Sequence, residues 1–324
     1  MRDAFGKFAE HDIPVYAISY DDLETLEEFS EQQAIPFPLL SDIDSAVIRR
    51  FGILNDQVSR NDAMLYGIPY PGVYVTDEEG RVSAKFFHDS YKKRDSAERY
   101  LDAALGRTIV SGDAPRAEST NEEIRITAAL HGGKGTLRQG VIRELVVRFE
   151  LPEGLHIYAA PVPEGMTATE VTVKGPAGLV VSPAKLPPTS TLEMPGFGEL
   201  NVWDGIVELN YPIYATGELA SECRPLDVPS VDLEIIIRYQ ACTAVECLLP
   251  RTETLSLQVA LDVIDIPDID IHRGHGQRAG TYDGTPALRR LMARKLRANP
   301  LGLPVFLGKS LWLELKARLR RLRG

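Results

Sequence analysis

The sequence predicts a multidomain protein of mixed class, α/β plus all-β: an α/β layer over residues 1–106, a β-sandwich over 122–262, and a basic helical tail over 263–324. Three observations predict it. Short apolar runs alternate with helical periodicity up to about residue 106. From residue 122 onward strand patterns recur with no helical segment between them. At about residue 263 the charge balance changes sign. With 324 residues, the chain is long enough for two cores, and one core of that size would be unusual.

The α/β layer opens with Ile13-Pro14-Val15-Tyr16-Ala17-Ile18-Ser19, a buried-strand pattern rich in β-branched and aromatic residues. Acidic caps at Asp21 and Asp22 then lead Leu23, Leu26 and Phe29 at helical spacing. Phe37 to Asp42 reads as a second strand. Ser45 to Phe51 is a short helix closed by Gly52. Gly72 to Asp77, the turn Glu78-Glu79-Gly80 and Val82 to Phe87 form a hairpin, and Ser96 to Leu105 an amphipathic helix. This order predicts a mixed sheet covered by helices.

Residues 107–121 lack periodicity, are rich in turn formers and read as a linker. The sandwich strands are Glu123 to Leu130, Val141 to Leu151, Ala168 to Val173, Gly205 to Tyr214, Val231 to Gln240 and Thr254 to Leu261, separated by Pro and Gly clusters. In the tail, helices are expected over Pro286 to Ala298 and Leu307 to Leu322, the second with Leu311, Leu315, Leu319 and Leu322 on one face.

Charge excludes some partners. Residues 263–324 hold 13 Lys+Arg against 5 Asp+Glu, and the rest holds 23 against 41, so an acidic body of -18 carries a tail of +8. Such a body does not attract nucleic acid. The basic last helix could lie on an anionic membrane or dock onto the acidic body, and the complementary charge favours docking. No apolar run is long enough to span a bilayer. Met1-Arg2-Asp3-Ala4-Phe5 places charges where a signal peptide has its apolar core.

The chemistry is expected at Cys242 and Cys247. Cys242 ends a strand with alternating Leu233, Ile235, Ile237 and Tyr239, and Cys247 opens the return toward Leu255, Leu257, Val259 and Leu261. If Thr243-Ala244-Val245-Glu246 is the hairpin loop, the cysteines oppose each other at ~4.5–5.5 Å between Cα atoms, within the span of about 4.4–6.8 Å that a disulfide bridges. A bond closing so short a loop adds little entropic stability, which tilts the reading from staple to redox couple. Two unpaired hairpin thiols, or a purely structural bond, stand as alternatives. Cys223 reads as an idle thiol.

Arg238-Tyr239-Gln240-Ala241-Cys242-Thr243-Ala244-Val245-Glu246-Cys247-Leu248-Leu249-Pro250 resembles the active hairpin of the DsbD N-terminal domain family, and Leu151 to Tyr158 resembles its early strand and loop. That resemblance implies an immunoglobulin-like sandwich. It also implies a cysteine pair cycling between dithiol and disulfide with a thioredoxin-like or other thiol redox partner, in an extracytoplasmic setting. Of the two thiols, Cys247 is expected to be the more exposed.

A second resemblance spans residues 1–106. Val15 to Asp21, Phe29-Ser30-Glu31, Ile35 to Asp42, Gly67 to Asp77 and Tyr91 to Glu98 resemble a peroxiredoxin of the alkyl hydroperoxide reductase and thiol-specific antioxidant class. It implies a thioredoxin-like fold, truncated at its N-terminus, with Pro71 as the cis-proline facing the redox site. The family's Pro-x-x-x-Thr/Ser-x-x-Cys segment is missing, residues 1–106 hold no cysteine, and Tyr70 stands where the family has arginine. Without a thiolate there is no attack on peroxide. The domain is inactive as it stands, or its catalytic segment lies upstream.

Asp268, Asp270, His272 and His275 read as a solvated linker rather than metal ligands, and Gly132 to Thr136 as a hairpin turn rather than a phosphate loop. No cofactor and no metal is expected. Three functions follow: a thiol–disulfide oxidoreductase using Cys242 and Cys247, a non-catalytic binding or scaffold protein, or an antioxidant peroxidase completed by an upstream segment.

Overall fold

The computed structural model describes residues 1–59, 66–88, 90, 92–119, 121, 123–194, 196, 198–220, 228–243, 246–262, 265–268 and 278–321. Two compact units form. One holds Met1–Val73, Asp265–Arg273 and Arg278–Gly324; the other holds Tyr74–Ile264 and Gly274–Gln277.

In the first unit a short helix α1 (Phe5–Ala9) precedes β1 (Ala17–Ser19), α2 (Leu23–Gln33), β2 (Leu39–Ser41) and α3 (Ala46–Arg50). Asp22 caps α2 by accepting from the Thr25 N–H at 2.9 Å. The buried Asp42 carboxylate accepts from the amides of Val47 and Ile48 and holds the start of α3. β1 and β2 pair in parallel, with Ile18 opposite Leu40. The seven-residue buried strand expected over Ile13 to Ser19 contracts to three residues, and Tyr16 is 64% and Ile18 41% exposed. The physical reason is alternation: in a two-stranded ribbon packed against a helix, every second side chain faces away from that helix.

β3 (Gly72–Thr76) enters the second unit and pairs with β4 (Val82–Phe87) as the expected hairpin. Asp77 sets the turn: its N–H donates to the Arg81 carbonyl at 2.9 Å, and its carboxylate accepts from the Arg81 N–H at 2.8 Å. β5 (Arg94–Asp95) and α4 (Ala97–Leu105) follow. The expected domain border near residue 106 differs from the structural one, because β5 pairs in parallel with a sandwich strand at Val141 and Ile142. Gly140, at φ +68°, makes room for the Lys92 carbonyl, which a Cβ there would strike. Arg99 pairs with Glu144 at 2.8 Å, and His131 with Asp102 at 2.7 Å. These buried polar contacts tie residues 94–105 to the sandwich.

Within the expected linker, β6 (Arg116–Glu118) is an edge strand on β7 (Arg125–His131). The Gly132 to Thr136 turn leads into β8 (Thr136–Arg138), which pairs with a different strand from β7, so the turn connects rather than closes a hairpin. Then come β9 (Val141–Glu150), β10 (His156–Tyr158), β11 (Glu170–Lys174), β12 (Leu179–Val181), β13 (Ser190–Met194), β14 (Gly198–Asp204), β15 (Ile206–Ala215), β16 (Ser230–Tyr239), β17 (Ala241–Cys242) and β18 (Arg251–Asp262). β6, β7, β9, β15 and β12 lie side by side, as do β11, β16 and β18. Alternate residues of both sets, among them Leu145, Val147, Phe149, Leu209, Leu233, Ile235, Leu257 and Val259, meet in one core. A separate four-stranded sheet runs β13-β14-β10-β17.

The first unit closes with paired segments Asp265–Asp268 and Arg278–Asp283, then α5 (Thr285–Ala298) and α6 (Gly302–Arg321). α6 begins five residues before its expected start. Pro304 lies in its first turn, where a helix needs no amide donor. α5 lies on α2: Arg290 holds Glu28 with both guanidinium nitrogens and reaches Glu24 at 3.3 Å, while Arg294 meets Asp22 at 3.5 Å. It is α5, and not the last helix for which docking is expected, that meets acidic residues here. Asp270, His272, His275, Cys223, Leu322 and Arg323 lie outside the described residues.

Candidate active site: a dithiol on a strand that changes sheets

The expected ladder stops one residue early. β16 pairs with β18 as far as Tyr239 opposite Arg251. There the Tyr239 hydroxyl donates to Glu253 at 2.8 Å and accepts from the Asn121 amide at 3.0 Å, which pins the end of the ladder. Gln240 then turns the chain out of the sheet. Its buried side-chain carbonyl accepts from the Thr167 N–H at 2.9 Å, and its amide donates to the Leu248 carbonyl at 3.0 Å. The strand resumes in the other sheet as β17, with Ala241 opposite Ile157 and Cys242 opposite His156. The cysteines therefore sit on an eleven-residue excursion, 240–250, between the ladder's last pair, rather than on a simple hairpin tip. Pro250 precedes the return and has no amide to extend the ladder.

Within that excursion the turn is self-contained. Thr243 N–H donates to the Glu246 carbonyl at 2.8 Å, Glu246 N–H to Thr243 Oγ1 at 3.0 Å, and Leu248 N–H to the Ala241 carbonyl at 2.9 Å. Cys242 and Cys247 face each other across an antiparallel bridge, as the spacing predicts, and both are free thiols. Cys242 is buried and Cys247 exposed, the asymmetry expected for the pair.

Two side chains that spacing alone does not single out complete the site. The ring of Tyr158 is fully buried, and its hydroxyl lies 3.6 Å from Cys247 Sγ and 3.4 Å from His156 Nε2. His156 and Tyr158 meet edge to face at 5.3 Å. Both lie in the segment Leu151 to Tyr158, two residues apart on one strand and so on one face, which is the signal that could have found them. Burial pushes the Cys242 thiol up to about 12, and the neighbouring Cys247 thiol adds to the rise while Tyr158 opposes it. Burial, together with the two thiols, also raises Tyr158. His156 is lowered by burial against the pull of Asp204. At neutral pH the floor of the site is thus uncharged. Leu200 and Val202 pack with Tyr158 and Cys242, and Val162, Met166, Leu192 and Met194 close around them.

Pro71 is in the first unit and the thiols are in the second. The expected cis bond is not there: among the described residues the cis peptide is Ala160–Pro161, and Tyr70–Pro71 is trans. Leu54 bridges to Pro69 and the Tyr70 N–H donates to the Ile53 carbonyl at 2.6 Å, which leads the chain extended into β3 in the isomer that X–Pro bonds favour by about 0.5–1 kcal/mol. Tyr70, in the place of the family's arginine, hydrogen-bonds Asp56.

Comparison with known proteins finds two family models on this chain. The AhpC/TSA family matches residues 1–85, and "Thiol:disulfide interchange protein DsbD, N-terminal" matches residues 136–259. The bcp protein of Coxiella burnetii, which carries a peroxiredoxin name, is 30% identical over 88 residues, covering 26% of this chain and 54% of its own. The chain thus spans about half the length of the curated relatives it matches. Among solved structures, the N-terminal periplasmic domain of ScsB from Proteus mirabilis aligns with 45% of this chain and 53% of its own, at 17% identity and a TM-score of 0.32. The complex between the DsbD and PilB N-terminal domains of Neisseria meningitidis aligns with 44% of this chain and 80% of that one, at 14% identity and a TM-score of 0.26. The chain joins a peroxiredoxin-like segment of thioredoxin-like class to a DsbD-type immunoglobulin-like domain, with short C-terminal helices. Among the described residues no helix is long and apolar enough to cross a membrane.

Proposed function

We propose that this protein exchanges electrons through the Cys242–Cys247 couple with a thioredoxin-like partner outside the cytoplasm. The observation that carries it is the pair itself: two free thiols opposed across an antiparallel bridge, one exposed and one buried. An exposed thiol can reach a partner's disulfide, and a buried one opposite it is placed to resolve the product. Cys247, as thiolate, attacks a partner disulfide, forms a mixed disulfide and releases one partner thiolate. Cys242 gives up its proton, attacks the Cys247 sulfur and displaces the second. The released partner thiolate takes the Cys242 proton, so from one thiolate and one thiol the protein loses two electrons and one proton, and the partner disulfide becomes a thiol and a thiolate. Residues 1–106 hold no cysteine, and the proposed exchange uses none from them.

The test is an equilibration in glutathione buffers of graded poise, with thiols counted by alkylation and mass. A single two-electron transition above about -300 mV is expected. Cys242→Ser is expected to trap a mixed disulfide through Cys247. If the two cysteines form no bond at any poise, the protein is a binding module instead.

A further inference from the structure

α5 uses its charge within the chain, but α6 does not use its apolar side. Leu303, Phe306 and Ser310, on one face of α6, are partly buried. The opposite arc carries Val305, Leu307, Leu311, Trp312, Leu315 and Leu319, each between 47% and 66% exposed. At 100° per residue these six fall within less than half a turn, and Leu313, 56% exposed, lies outside that arc. Lys309 and Lys316 are exposed along one border of that arc. In sequence, Gly302–Arg321 holds five basic residues, Lys309, Lys316, Arg318, Arg320 and Arg321, against Glu314.

We infer that α6 lies on the surface of an anionic lipid bilayer. An exposed Leu-rich arc with a Trp, bordered by lysines, is the composition that sinks into the boundary between headgroups and acyl chains. Lysine stems cover apolar surface while their ammonium groups meet anionic headgroups. Charge discriminates between occupants. Pairing α6 with a second copy would bring two strongly basic helices together with one acid each, so like charges would oppose along the seam. The balance of α6 itself, five basic residues against one acid, is complementary to an anionic surface, and the acidic residues of α2 are already met by α5.

Flotation of the full chain with vesicles tests this, using phosphatidylcholine with about a third phosphatidylserine against phosphatidylcholine alone. Trp312 reports insertion by a blue shift. The other tryptophan, Trp203, is buried with its N–H on the Pro187 carbonyl at 3.2 Å and supplies a constant background. Binding to the anionic vesicles, weakened at least about tenfold without phosphatidylserine or in Lys309→Glu/Lys316→Glu, is expected. Leu311→Glu/Leu315→Glu is expected to abolish it, with circular dichroism and the reactivity of Cys247 unchanged. No flotation on anionic vesicles, equal flotation on neutral ones, or flotation that survives the double Leu variant would each overturn the inference. So would an α6-dependent dimer that ignores vesicles.

Discussion

At the scale of single residues, the hydroxyl of Tyr158 is the group that couples the thiols to the sandwich. It reaches Cys247 Sγ at 3.6 Å from a ring that is wholly buried, and it also meets the Cys242 thiol and, at 3.4 Å, His156. A hydroxyl hydrogen-bonded to sulfur favours the thiolate over the thiol, because an anion accepts more strongly than a neutral group. Tyr158→Phe keeps the ring and its packing and deletes only that hydroxyl. Cys242, whose rise Tyr158 opposes, is then expected to alkylate about three- to tenfold more slowly at alkaline pH, since bonds to charged groups are worth about 1.5–3 kcal/mol and burial dominates its titration. Stability should change by no more than about 1 kcal/mol. An unchanged alkylation rate would show that the hydroxyl serves packing alone.

At the scale of elements, the decisive feature is the break at Gln240 between β16 and β17. One side chain satisfies the Thr167 amide on one side and the Leu248 carbonyl on the other. Gln240→Leu fills the space but leaves both backbone groups without that partner, at about 1–3 kcal/mol each. A loss of about 2–4 kcal/mol in urea unfolding of the second unit is expected, with Cys242 gaining reactivity as β17 loosens from β10. Unaltered unfolding would mean that the turn's own bonds suffice. The strands on either side of this break were legible beforehand because Leu233, Ile235, Ile237 and Tyr239 alternate, as do Leu255 to Leu261, and alternation against a buried face fixes period and register. The opposed cysteines were legible for the same reason. The change of sheet was not: period-two patterning is blind to which neighbour a strand takes, and a buried glutamine reads locally like any polar residue at a strand end. The three-residue β10 and the β13–β14 pair are short and lie among Pro and Gly, so they gave no periodic signal. In the first unit, the run Ile13 to Ser19 looked like a core strand, yet β1 has one strand beside it and Ile18 faces outward.

At the scale of the whole molecule, the redox state and the fold are linked through protons. In the reduced protein the Cys242 thiol is pushed up to about 12 by burial and by its neighbour thiol. An unfolded cysteine titrates near 8.5. Below that pH both states hold the proton, and the thiol's contribution to folding is fully present. Between about 8.5 and 12 the unfolded chain releases a proton that the folded chain keeps, so the unfolded state binds fewer protons and stability falls as pH rises. The oxidised protein has no thiol at this position and escapes that loss. Tyr100 and Tyr211, raised by burial without the thiols, titrate in both redox forms and cancel in the comparison, whereas Tyr158, raised in part by the two thiols, adds to the steeper fall of the reduced chain. Melting temperature followed from pH 7.5 to about 10.5 should therefore fall more steeply for the reduced chain than for the oxidised one. Cys242→Ala in reductant should follow the oxidised slope even if its midpoint is lower throughout, because a missing methyl-sized contact shifts the curve without tilting it. Parallel curves for reduced and oxidised chains would mean that Cys242 loses its proton as readily inside the fold as outside it. The buried thiol could then act first in exchange, and the order of attack assigned to the pair would reverse.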